Sequence, residues 1–266
     1  MVKNKFLTSA LILMLGGLIT KLLGFIIRVI YTRMVGNEAI SLYSIVMPTY
    51  SLLLTIATLS FPIVISKLIS EKKTKSIKII SSSIVITLLL NILVIIIIYF
   101  TKDFIAITLL HEPRASVLLF SMALTFPFVS ISSIIKGYFY GKQKMLPHTI
   151  SNIIEQIVRL ILIYLIIPSL VNKSITSSVM GLILISIASE LAFILTFLIF
   201  LPKKFVIKKE DLIPDQSTTK EILNISLPTV SSRLVGNIGF FLEPIILTNI
   251  LLLTGYSNSY ILNEYG

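Results

Sequence analysis

Apolar residues dominate seven stretches of this 266-residue chain, roughly 6–30, 42–66, 79–100, 116–138, 150–170, 178–201 and 222–253, with polar residues gathered between them. About 20 apolar residues at 1.5 Å rise each cross the hydrocarbon of a bilayer, and every stretch meets that length. In lipid the backbone has no water to bond, so all seven are expected to be helices. The pattern predicts an all-α polytopic membrane protein.

Charge between the spans orients them. Fifteen lysines fall in the N-terminal segment and the second, fourth and sixth connections: Lys3 and Lys5; Lys67, Lys72, Lys73, Lys75 and Lys78; Lys136, Lys142 and Lys144; Lys203, Lys204, Lys208, Lys209 and Lys220. The opposite side holds four basic residues, Arg33, Lys102, Arg114 and Lys173. Basic residues stay on the cytoplasmic side, so the N-terminus is expected inside, a rule obeyed here at every connection. The same lysines are placed to meet anionic lipid headgroups. Lys3 and Lys5 before an apolar run also suit a signal peptide. The run is too long for one, contains Lys21 and lacks a small-residue cleavage site, so it reads as a retained first helix. The longest polar stretch, with Glu210, Asp211 and Asp215 among its lysines, marks the expected lobe boundary. A six-helix lobe would span 1–201, a cytoplasmic loop 202–219, and the start of a second lobe 220–266.

Composition narrows the chemistry. Mean hydropathy is +0.98 and cysteine is absent, which excludes a disulfide framework, a thiolate zinc site and a cysteine nucleophile. The two histidines, His111 and His148, are far apart in sequence and make no ligand cluster, so no metal or cofactor is expected. The net charge of +11 lies between membrane spans and not on one soluble face, so nucleic acid is not the expected partner. No paired acids, Ser/His/Asp set or glycine-rich phosphate loop stands out, and the chain is not expected to be an enzyme.

Seven ionisable residues lie within the apolar spans: Lys21, Arg28, Glu155, Arg159, Glu190, Arg233 and Glu243. A charge at the bilayer centre costs about 2.5–3.5 kcal/mol, so such residues face a protein interior or a watery cavity. Lys21 is near mid-span. Arg28 is closer to a helix end, where it either faces a cavity or snorkels to the interface. Glu155 and Arg159 are four apart with the acid first, the favourable order for a helical pair. That pair is either self-neutralised or a switch at which an anion or a proton competes for one partner. Glu190 has no local partner and needs a bound proton or a cation from another helix, with Lys21 and Arg233 as candidates. The four cations outnumber the three acids, which suits an anion such as phosphate or pyrophosphate. Prolines at Pro48, Pro62, Pro127, Pro228 and Pro244 mark expected kinks. The order hydroxyl, cation, two aliphatics and glycine occurs in Thr20–Gly24 and again in Ser232–Gly236, as in a transporter built from repeats.

The residues Lys21-Leu-Leu-Gly24-Phe25-Ile-Ile-Arg28, Gly36-Asn-Glu-Ala-Ile-Ser-Leu42-Tyr43, Phe61-Pro62-Ile-Val-Ile-Ser66-Lys67, Lys136-Gly137-Tyr138-Phe139-Tyr140-Gly141 and Glu155-Gln156-Ile-Val-Arg159 resemble the stage V sporulation protein B and polysaccharide-exporter family. That family is related to lipid II flippases and, more broadly, to MATE-like transporters. The resemblance implies a MATE-like first lobe of six helices plus the first helix of a second, in a bacterial cell membrane, around a cationic cavity that works by alternating access. It implies a polyprenyl-pyrophosphate-linked oligosaccharide as substrate, with lipid II for cell-wall or spore cortex peptidoglycan the first expectation, and cell-wall synthesis proteins as further partners. By that resemblance Lys21, Arg28 and Arg233 hold the pyrophosphate, while Glu155, Arg159, Glu190 and Lys136 form the gate. Lys136 stands where the family commonly has arginine, and Ser60 where it commonly has glycine. The resemblance also implies a chain that stops short of the second lobe. A multidrug or cation antiporter of the same fold and a non-transporting scaffold for cell-wall assembly are the competing readings.

Overall fold

The computed structural model describes residues 2–72, 74–201, 213–257 and 260–262, with side chains from Leu7 onward. The side chains of Lys3 and Lys5, together with Lys73 and the greater part of the expected inter-lobe loop, lie outside the described residues. Among the described residues the secondary structure is helical throughout: α1 (Val2–Val35), α2 (Asn37–Thr58), α3 (Phe61–Glu71), α4 (Ser76–Asp103) continued by a π-helical stretch (Phe104–Leu109), α5 (Ala115–Ala123), α6 (Phe126–Gly141), α7 (Met145–Val171), α8 (Ile175–Ile199) and α9 (Gln216–Leu253). Among the described residues seven spans are long and apolar enough to cross a membrane: Leu7–Val35, Asn37–Glu71, Ser76–Leu109, Ala115–Gly141, Met145–Val171, Ile175–Ile199 and Gln216–Leu253. These are the seven expected from the apolar pattern.

Two of the spans are broken near proline. The second breaks at Leu59 and Ser60, both left-handed with φ of 47° and 54°, before Pro62 opens α3. Proline has no N–H and clashes with the preceding turn, so a helix running into it must stop or bend. Ser60 therefore occupies a conformation that glycine adopts without steric cost. The fourth span bends at Leu124 and Thr125 before Pro127. Pro48, Pro168, Pro228 and Pro244 stay inside continuous helices.

One end of the bundle, where α3 meets α4 and α6 meets α7, is packed shut. Phe61, Ile65, Ile69, Phe139, Phe193, Phe197 and Ile222 are buried together there. Helices α3 and α6 approach closely because Gly137 and Gly141, four apart, present bare backbone to Ile65 and Ile69. A Cβ on Gly141 would lie 2.7 Å from Ile69 Cβ and 2.9 Å from the Ser66 carbonyl oxygen. Small residues at this spacing let backbones meet in lipid, where no hydrophobic force draws helices together. Gly16 does the same for α1 against Thr149 of α7, whereas Gly17 and Gly24 have open space beside them. At the opposite end an ion-pair cluster ties the start of α2 to the α4–α5 connection. Arg114 Nη1 donates to Glu38 Oε1 at 2.7 Å and its Nε to Glu112 Oε1 at 2.8 Å. These bonds, led by that to Glu112, hold the Arg114 guanidinium still more firmly protonated than usual.

Candidate functional site

A cavity of about 770 Å³ lies in the half of the bundle nearer the α1–α2 and α7–α8 connections. Its walls come from α1, α2, α5–α6, α7, α8 and α9. On α1 the lining residues Gly24, Ile27, Arg28 and Tyr31 recur at three- and four-residue spacing, one stripe of the helix. On α2 the stripe is Tyr43, Met47 and Tyr50. Phe240, Glu243 and Leu247 form the α9 wall, and Arg159 enters from α7. The walls are largely aromatic and aliphatic, with Ser44, Thr125 and Ser186 among them; of the three charged residues Arg159 is half-buried, whereas Arg28 and Glu243 are exposed.

Arg28 lies on the wall of this cavity, with its side chain exposed. Glu243, beside the buried Pro244, faces it as well. Lys21 and Arg233 do not line it; both side chains are exposed. Each continues a lining stripe toward the closed end, Lys21 seven residues before Arg28 and Arg233 seven before Phe240, two turns along the same helical face.

Behind Arg159 lies a buried polar cluster shared by α6, α7 and α8. Arg159 Nη2 donates to Glu155 Oε1 at 2.7 Å, one turn away on α7, as the spacing of the two residues predicts. Glu155 is buried, and the charges near enough to act on it are those of Glu190, Arg159 and Lys136. Glu190 is buried on α8, and its Oε2 has no hydrogen-bond partner among the described residues. No ion pair joins Glu190 to Lys21 or Arg233 among the described residues, and the cations that act on its neighbour Glu155 are Arg159 and Lys136.

Lys136, counted with the loop lysines from the hydropathy pattern, is inside the fold, because α6 runs on to Gly141. Its Nζ lies 4.2 Å from the centre of the Phe193 ring, one turn from Glu190 on α8. A cation over an aromatic face gains electrostatic attraction without leaving an apolar setting. His148, which the sequence presents with His111 as a lone histidine, belongs to the same cluster. Tyr140 Oη is 2.8 Å from its Nε2, and Asn152 Nδ2 is 3.1 Å from the same nitrogen. The sequence signal for the tyrosines is the Tyr43, Met47, Tyr50 spacing; for His148 it is a spacing of four from Asn152.

Among the described residues, seven helical spans long and apolar enough to cross a membrane, two of them broken, surround a cavity and make an all-α polytopic membrane fold. The chain belongs to the polysaccharide biosynthesis protein family, whose model matches residues 6–255. It is 34% identical over its whole length to stage V sporulation protein B of Bacillus subtilis, covering 53% of that protein. It is 30% identical to the lipid II flippase MurJ of the same organism, over 59% of this chain and 31% of the flippase. Among solved structures, a MATE in the straight conformation superposes with a TM-score of 0.71 at 15% identity, over 98% of this chain and 58% of that one. A MOP superfamily transporter from Pyrococcus furiosus gives 0.71 at 15% identity, over 90% and 54%. The chain spans about half the length of the curated relatives it matches across its full extent.

Proposed function

We propose that this chain forms the first lobe of a membrane flippase that carries a polyprenyl-pyrophosphate-linked oligosaccharide across the bacterial cell membrane by alternating access. The observation that carries the reading is the cavity with two guanidinium groups, Arg28 and Arg159, against one carboxylate, Glu243, in a largely aromatic and aliphatic wall. A guanidinium at membrane depth is costly unless it meets an anion, and its planar fork suits the paired oxygens of a phosphate. Kinship with a protein named as a lipid II flippase supports the substrate class and makes lipid II the first candidate. Arg28 would hold the pyrophosphate. Lys21 and Arg233, two turns along the same stripes, would receive it as the closed end opens.

The lobe division follows from the same reading, with 1–201 as the first lobe and α9 opening a second. The two least buried spans, α1 and α9, both wall the cavity, and a second lobe would cover them. The N-terminus would be cytoplasmic, and the half of the bundle that holds the cavity would then be the outer half.

The test is the exposure of lipid-linked oligosaccharide on the outer leaflet of cells that depend on the protein, probed with an enzyme that cannot enter. Arg28→Ala should lower exposure at least tenfold with the protein still in the membrane, and Arg28→Lys should restore only part of it. Unchanged exposure in Arg28→Ala would overturn the flippase reading. Glu243 gives a cation antiporter a foothold in the same cavity, and efflux of amphipathic cations that is abolished by Glu243→Gln but indifferent to Arg28→Ala would establish that reading instead.

A further inference from the structure

Arg159 belongs to two environments at once. It lines the cavity, yet its Nη2 is committed to Glu155 at 2.7 Å. Its Nε is buried without a hydrogen-bond partner among the described residues, so the fork is only partly used. Glu155 and Glu190 are both buried and near enough for their charges to interact. Of the two, Glu155 has its ion pair with Arg159, and Glu190 leaves Oε2 unpartnered among the described residues. Lys136, the second cation of the cluster, has its Nζ over the Phe193 ring.

We propose that Arg159 is a second ligand for the substrate's oxyanion, which it takes up by letting go of Glu155, and that the carboxylate left behind binds one proton. The inference rests on reading the cavity as an oxyanion site. A doubly charged phosphate competes well with a single carboxylate for a guanidinium, above all when one donor of the fork is unused. Once Arg159 turns to the cavity, the buried Glu155 is left with the like charge of Glu190 and with Lys136 as the remaining cation that acts on it. Two carboxylates cannot both stay ionised cheaply in such a place. A proton from cavity water, added to a carboxylate oxygen, restores the charge lost when the arginine moved away. Anion binding and proton uptake then become linked, and each strengthens the other by the same factor.

The groups facing Glu155 are consistent with this exchange. On α7 it is Arg159, on α8 Glu190 and on α6 Lys136, which also acts on His148. Helix α2 contributes Tyr43 and Tyr50, which feel the charge of Arg159. Helix α1, packed along α7, brings Arg28 to the cavity and carries the exposed Lys21, while α9 adds Glu243 across the cavity.

The experiment is titration calorimetry of the detergent-purified protein with inorganic pyrophosphate at one pH, in two buffers of unlike ionisation enthalpy. The buffer dependence counts the protons taken up per anion, and the probe's own titration is common to every variant. The wild type should take up about one proton more than Glu155→Gln, and Glu155→Gln should bind about tenfold more tightly because no proton has to be recruited. Glu190→Gln, which removes the like charge facing Glu155, should cut the uptake by half or more. This second variant keeps the test decisive if Glu155→Gln fails to fold. Equal proton counts in all three proteins, with binding that Arg28→Ala abolishes, would overturn the exchange and leave the oxyanion cavity standing. No binding of pyrophosphate by the wild type would overturn both.

Discussion

The contact between α3 and α6 yields a prediction of sign. Alanine is favoured over glycine in a helix interior by about 1 kcal/mol, so replacing a helical glycine ordinarily stabilises. At Gly141 the new methyl would meet Ile69 Cβ at 2.7 Å, Ile69 Cγ2 at 2.8 Å and the Ser66 carbonyl oxygen at 2.9 Å. Carbon atoms rest at about 3.5–4.0 Å, so α3 and α6 would have to separate by nearly 1 Å, and the carbonyl belongs to helix backbone that cannot swing aside. Overpacking of this kind costs about 1–3 kcal/mol, which outweighs the helix gain. Gly141→Ala should therefore destabilise by about 1–2 kcal/mol, a melting shift of about −2 to −8 °C for a chain of this size. Gly17, where an added methyl would have nothing within 4 Å, is the internal control, and Gly17→Ala should raise the melting temperature. Adding Gly137→Ala to Gly141→Ala should cost less than the sum of the two, because helices already forced apart at one position give room at the next. The assay is the thermal loss of helical circular dichroism in detergent. A Gly141→Ala protein that melts at or above the wild type, or that shifts in the same direction as Gly17→Ala, would refute the close contact.

Two further outcomes follow from the helix starts. Ser60 is held at φ 54° with a buried hydroxyl that has no partner among the described residues, so Ser60→Gly should stabilise by about 1 kcal/mol, whereas Ser60→Ala, which keeps the Cβ, should recover less in the same melting assay. Asp215 caps α9: its Oδ2 accepts from Thr218 N at 3.2 Å and Thr218 Oγ1 at 2.9 Å, and with the Ser217 hydroxyl these bonds hold its carboxyl below the ordinary carboxylate range. A lowered acid stabilises in full above its unfolded value, near 4, and the benefit disappears as pH falls through the lower folded value. Melting curves between pH 7 and pH 2 should therefore show Asp215→Asn losing less stability on acidification than the wild type, and parallel losses would remove Asp215 from the account.

Much of this protein is written into its linear pattern. The seven spans follow from run length, because a helix must cover about 30 Å of hydrocarbon whatever its neighbours are. The Glu155–Arg159 ion pair follows from a spacing of four, which one helix enforces by itself. The two breaks fall just before Pro62 and Pro127, but Pro48, Pro228 and Pro244 stay inside continuous helices, so which of the prolines interrupts a span is not written in the sequence. What a side chain faces across a gap between helices is not local, and there the tertiary structure decided. It put Arg28 in the cavity and left Lys21 two turns along the same stripe, a distinction that the identity of two cations on one helix cannot contain. It drew Lys136 out of the loop lysines and over Phe193, and brought His148 and Glu190 to the same cluster from helices whose sequences show no sign of each other. It also gave Gly16, Gly137 and Gly141 a purpose that Gly17 and Gly24 lack, because a missing methyl matters only where another helix comes close enough to need its space.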